Sequence, residues 1–68
     1  MEQLIKTLRR YNAMTDEEYG YLALFDDNSG NYRNEADEQI FDFETHAEAV
    51  EIMENAINER LTAIQNAG

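Results

Sequence analysis

The reading of the chain turns on Thr45-His46-Ala47-Glu48-Ala49-Val50-Glu51-Ile52-Met53-Glu54-Asn55-Ala56-Ile57-Asn58-Glu59-Arg60-Leu61-Thr62-Ala63-Ile64-Gln65. Thr45 and Glu48 have the spacing of a capping box, which marks a helix start. At about 100° per residue, Val50, Met53, Ile57, Leu61 and Ile64 fall in a stripe roughly 80° wide, enough to floor a core. The opposite arc carries Glu48, Glu51, Asn55, Asn58, Glu59, Thr62 and Gln65, with no Lys or Arg. A second apolar arc holds Ala49, Ile52, Ala56 and Ala63. Small residues permit close approach, so a first helix is expected to pack there. The other reading of that arc is a dimer seam.

Upstream, Gln39 to Glu44 reads as a strand, with Phe41 and Phe43 on one side and Ile40 and Asp42 on the other. Asn34 to Glu38 is a polar loop. Asn31, Tyr32 and Arg33 are compatible with a short return strand, so the antiparallel sheet has two or three strands. Asp27-Asn28-Ser29-Gly30 is a turn by composition: Asx side chains bond their own backbone, and Gly accepts positive φ. Gly20 to Asp26 reads as a strand that is apolar on both faces and therefore expected to be covered. A short helix is the alternative there, since Thr15 and Glu18 also have capping-box spacing. Residues 2–13 form a first helix with Leu4, Ile5, Leu8 and Tyr11 on one face and Lys6, Arg9 and Arg10 opposite, near the end where cations suit the helix dipole. The order implies a single small α+β domain, residues 1–68.

Composition narrows the function. The chain has 68 residues, no Cys, no Pro and one His, His46. Without Cys, no disulfide or thiolate metal site can form. No membrane span or signal-peptide apolar region is present, so the expected location is the cytoplasm. Ser29 and His46 stand without any catalytic signature, and no enzymatic activity is expected. Asp26-Asp27-Asn28-Ser29-Gly30-Asn31 departs from a calcium loop, because Gly comes one place early and the flanks read as strands. No metal and no cofactor is expected.

The net charge is −10, which opposes direct binding to nucleic acid or anionic lipid and favours basic protein surfaces. From Tyr11 to Glu59 the chain has fourteen acids and one base, Arg33. On the long helix Glu48, Glu51 and Glu59 point outward, with Glu54 at the edge of that arc. Asp42 and Glu44 continue the negative surface, and Asp26, Asp27, Glu35, Asp37 and Glu38 add loop carboxylates. These eleven residues are the candidate partner-binding set. Their self-repulsion costs stability, and duplex DNA presents a comparable array, one charge per roughly 1.7 Å of axis.

In length, charge, absence of Cys and helix–strand–strand–helix order, the whole chain resembles the small acidic proteins that phages and mobile elements direct against host nucleic-acid machinery, anti-CRISPR proteins above all. The resemblance is one of overall type, with no motif to carry over. It implies a DNA-mimicking inhibitor acting on the basic groove of a CRISPR-Cas complex or another nucleic-acid-binding protein in a bacterial host. A monomer is expected. The rival reading is an acidic interaction or dimerisation adaptor with no DNA mimicry.

Overall fold

In a computed structural model, which describes residues 2–67, the chain runs α1 (Glu2–Thr15), β1 (Tyr21–Leu24), β2 (Gly30–Arg33), β3 (Gln39–Phe43) and α2 (His46–Ala67). The three strands form one antiparallel sheet in the order β1-β2-β3. This is the α+β arrangement expected, with three strands and not two. Thr45 caps α2 as its sequence implies: its Oγ1 accepts the Glu48 N–H at 3.1 Å. The Glu48 carboxylate reaches back to the Glu44 N–H at 3.3 Å, one residue before the usual partner in a capping box.

Thr15 does not start a helix. It ends α1, and its Oγ1 donates to the Tyr11 carbonyl at 3.0 Å. Asp16 follows with φ 59°, and the Glu17 N–H returns to the Asn12 carbonyl at 3.0 Å. That six-to-one bond is a Schellman closure, with Asp in the left-handed position usually held by Gly. In the β1–β2 turn the positive φ belongs to Asn28 (71°) and not to Gly30. Gly30 lies within β2, where a Cβ would fall 2.1 Å from the Ala23 carbonyl oxygen. It is needed for close approach, not for its backbone angle.

The core lies between the two helices and one face of the sheet. Leu4, Tyr11, Tyr32, Phe43, Ala49, Met53 and Ile57 are buried, together with Thr7. Tyr11 stands edge-on to Tyr32 at 5.0 Å and to Phe41 at 5.9 Å, and Tyr32 stacks on Phe41 at 5.4 Å. Such pairs add about 0.5–1.5 kcal/mol each beyond their buried area. The Tyr32 hydroxyl donates to Asn12 Oδ1 at 2.6 Å, while Asn12 Nδ2 donates to the Gly20 carbonyl at 2.9 Å. A Cβ on Gly20 would sit 2.0 Å from that hydroxyl. Burial first, and then the Glu17 charge, raises the Tyr11 phenol pKa above its usual value.

Four expectations are corrected. On α1 the inward row is Leu4, Thr7 and Tyr11, so Ile5 falls outside it and is exposed. On α2 the buried row is Ala49, Met53 and Ile57, with Val50, Ile52 and Ala56 packed beside it. Leu61 (50%) and Ile64 (58%) are exposed, because α2 runs past the end of the core. The molecule measures 44 × 24 × 18 Å and exposes 4824 Å², against about 4,400 Å² for a compact chain of its mass. The first helix also sits elsewhere on α2. Gln3 and Leu4 of α1 lie by His46, Ala47 and Val50, and Gln3 and Arg10 reach Glu54. This is the Val50–Glu54 flank and not the alanine arc. Finally, the apolar strand β1 is only partly covered: Leu22 packs against the core, but Tyr21, Leu24 and the following Phe25 are exposed, because β1 is an edge.

Two expected outcomes follow from this packing. Met53→Ala costs about 2–5 kcal/mol in denaturant unfolding, whereas Leu61→Ala and Ile64→Ala each cost under about 0.5 kcal/mol. Gly20→Ala destabilises by about 1–3 kcal/mol through overpacking. A double-mutant cycle with Tyr32→Phe shows a coupling above about 0.5 kcal/mol, since removing the hydroxyl relieves part of the clash.

Candidate functional site

The eleven candidate carboxylates do not form one face. Ten are exposed and Glu54 is half-buried. Glu54 turns toward α1, where it pairs with Arg10 at 3.7 Å and accepts from Gln3 Nε2 at 3.3 Å. The long helix is therefore not without basic partners; they come from α1. Asp37 is also engaged. It accepts from Arg33 Nε at 2.8 Å and from the Tyr21 hydroxyl, and its carbonyl accepts from Arg33 Nη2 at 2.6 Å. Asp37 takes φ 63°, in a loop held by Asn34 Oδ1, which accepts the Ala36 and Glu38 N–H groups. Glu35 Oε1 accepts the Tyr19 N–H at 3.2 Å, and Glu17 Oε2 accepts the Glu35 N–H at 3.1 Å. Asp27 accepts from both the backbone N–H and the hydroxyl of Ser29, which lowers its pKa.

Asp26, Glu38, Asp42, Glu44, Glu51 and Glu59 differ from these. Among the described residues, no side-chain hydrogen bond or ion pair engages their carboxylates. Their positions follow from the register. Gly30 pairs with Phe43, so the β1–β2 turn with Asp26 and Asp27 lies at the same end of the sheet as Glu44 and the start of α2. Asp26, Asp27, Glu44 and Glu48 thus lie toward one end, with Glu51 one turn further along α2. Glu35, Asp37 and Glu38 lie at the other end, in the β2–β3 loop. Asp42 alternates with Phe41 and Phe43 and so occupies the open face of the sheet. Glu59 lies on the part of α2 that projects past the core.

At this end the helix dipole supplies electrostatic support to part of the set. Glu44 and Glu48 sit at the N-terminus of α2, where the helix dipole favours negative charge by about 0.3–1 kcal/mol each. Asp26 and Glu51 have no such compensation. Sequence reasoning treated all eleven acids alike; only register and packing separate the engaged from the free. Asn12, which ties α1 to two strands, carries no sequence signal, because a mid-helix Asn reads as a surface residue.

A shallow surface depression is lined by Asn55, Asn58, Glu59, Thr62 and Ala63. All five come from α2, so it is a stretch of helix surface and not a cleft between elements. Among the described residues, no group of three His, Cys, Asp or Glu side chains is placed to hold a metal ion. No described helix is long and apolar enough to cross a membrane. No protein-family model, curated protein or solved structure matches the chain.

The Tyr21–Asp37–Arg33 cluster sets a pH dependence. The Tyr21 hydroxyl first, and then Arg33, lower the Asp37 pKa from its ordinary 3.8. The resulting contribution to stability is present above that value and is lost as pH falls through the lowered pKa. In a carboxyl-detected NMR titration Asp37 therefore protonates below the ordinary range. Arg33→Gln moves its midpoint upward; an unmoved midpoint would show that Arg33 does not act on it.

Proposed function

We propose that this protein is a non-enzymatic inhibitor that binds the basic surface of a nucleic-acid-binding host protein, such as a CRISPR-Cas effector, in place of DNA. The supporting observation is the end of the molecule shared by the turn acids Asp26 and Asp27, by Glu44 and by the start of α2 with Glu48, with Glu51 one turn further along. Asp26, Glu44 and Glu51 there have no pairing partner among the described residues. A protein with five bases could neutralise part of this end, yet the three ion pairs among the described residues lie elsewhere, at Glu2, Glu54 and Asp37. Exposed carboxylates without an ion-pair partner repel one another. A basic groove that normally tracks phosphates would relieve that repulsion and gain long-range attraction, which raises the association rate. The bacterial cytoplasm, where such effectors work, is the location this reading requires.

The test is capture of partners from a bacterial lysate on the immobilised protein, with identification by mass spectrometry. A nucleic-acid-binding complex is expected, released by duplex DNA and by raised salt. The variant Asp26→Asn/Glu44→Gln/Glu51→Gln is expected to stay within about 1 kcal/mol of the parent in stability. It should bind the partner at least about tenfold more weakly. Binding that ignores both salt and the triple substitution would rule out mimicry and favour an adaptor held by apolar contacts.

A further inference from the structure

The strand β1 has an unused edge. It is the first strand of the sheet, and its only substantial neighbour is β2. The direction of its backbone groups follows from the ladder. The Phe25 N–H donates to the Ser29 carbonyl at 2.9 Å, continuing the register in which Leu24 faces Gly30. Hydrogen-bonded and non-hydrogen-bonded pairs alternate in an antiparallel ladder. Ala23 with Asn31 and Tyr21 with Arg33 are therefore the bonded pairs. The N–H and C=O groups of Leu22 and Leu24 point away from the sheet.

Natural edge strands are blunted by charge, proline, bulges or a covering element. The opposite edge, β3, follows that rule. It carries Asp42, is flanked by Glu38 and Glu44, has a register shift opposite Tyr32/Arg33 and packs against α2. The β1 edge has none of these devices. From Tyr19 to Phe25 no residue is charged, in a chain of net charge −10. Tyr21 (44%), Leu24 (42%) and Phe25 (56%) are exposed along it.

We propose that this edge pairs with the same edge of a second copy, antiparallel, about a two-fold axis through Ala23. The register is fixed by parity. An axis at Ala23 sets Leu22 opposite Leu24 of the second copy, and the reverse. All four outward backbone groups on each chain are then satisfied, in four N–H···O bonds. An axis at Leu22 would instead oppose Leu24 to Gly20, whose N–H and C=O are already bonded to the Glu17 carbonyl and to Asn12. The side chains match in the chosen register. The two leucine pairs meet on the core face, and Tyr21 meets Phe25 of the second copy on the open face. Such isologous matching is what a two-fold interface requires.

Charge selects this edge for a second copy. Asp26 falls opposite Gly20, and the two Asp26 residues are six strand positions apart, about 20 Å. That exceeds twice the Debye length of about 8 Å at physiological ionic strength. The stretch from Tyr19 to Phe25 brings no charge of its own to the contact. The product is a continuous six-stranded sheet with four helices on one face. Of the alanine arc of α2, the seam suggested by the sequence, Ala49 is buried and Ile52 and Ala56 pack against the core within each chain, while Ala63 is exposed. This pairing is independent of the partner-binding reading, and salt separates the two: screening weakens binding to a basic partner and strengthens pairing of two acidic copies.

The test is analytical ultracentrifugation across concentration and salt, combined with amide hydrogen exchange. The dimer fraction should rise with both concentration and salt. The Leu22 and Leu24 amides, without a partner in the single chain, should exchange at least tenfold more slowly at the concentration that gives dimer. Ala23→Lys sets two ammonium groups on the axis and should give a monomer, while Ala23→Ser should keep the dimer. If Ala23→Lys does not fold, the exchange measurement on the parent protein still decides. A chain that stays monomeric at all concentrations overturns the proposal, and that is the result if the edge serves a strand of another protein. A dimer in which Leu22 and Leu24 keep their single-chain exchange rates overturns it as well.

Discussion

The contact on which the rest depends is the junction of Asn12, Tyr32 and Gly20. One amide side chain accepts from the hydroxyl of the central strand and donates to the backbone just before the edge strand. It thereby fixes α1 against the sheet at two points. The Tyr32 ring, so held, stacks on Phe41 and meets Tyr11 edge-on, and these rings fill the space between sheet and helix. Gly20 is the other half of the junction, since no side chain fits where the hydroxyl lies. In a domain this small, about 60% of the unfolded surface is buried, and a few such contacts carry a large share of the order.

The acidic character and the fold are separable. Glu54, Asp37 and Glu35 are engaged in holding elements together, and Glu48 and Asp27 satisfy their own turns. Of the free acids, Asp26 and Glu44 lie where the turn, the end of β3 and the start of α2 share one end of the sheet, while Glu38, Asp42 and Glu59 lie elsewhere. A helix N-terminus tolerates negative neighbours, which favours Glu44 and Glu48 at this end.

Much of the architecture was legible in the sequence. Thr45 and Glu48 announced α2 through the chemistry of orphan N–H groups, and Phe41 and Phe43 announced β3 through period two. The Asp27–Gly30 turn was clear, although Asn28 and not Gly30 takes the positive φ. What escaped depends on distant partners. Periodicity places Leu61 and Ile64 on the inward side of α2 but cannot say that their neighbours end at Ile57. An apolar strand reads as buried until its place at the edge of a sheet is known. The split between engaged and free carboxylates needed the position of Arg10, Arg33 and Gln3 in space. Thr7 was hidden for the same reason: a polar residue in an apolar row looks like an interruption, yet it is fully enclosed.

The projecting half of α2 has a thermodynamic consequence of its own. Beyond Ile57 every residue through Gln65 is exposed, so this segment is a nearly isolated helix grafted onto a folded base. It inherits a nucleus from the buried turns and need not pay for initiation, but each further turn rests on propensity alone. Its helical content should decline gradually with temperature while the base melts cooperatively. Far-ultraviolet dichroism and aromatic fluorescence would then trace different curves for one chain, and the mismatch would mark where the cooperative unit ends.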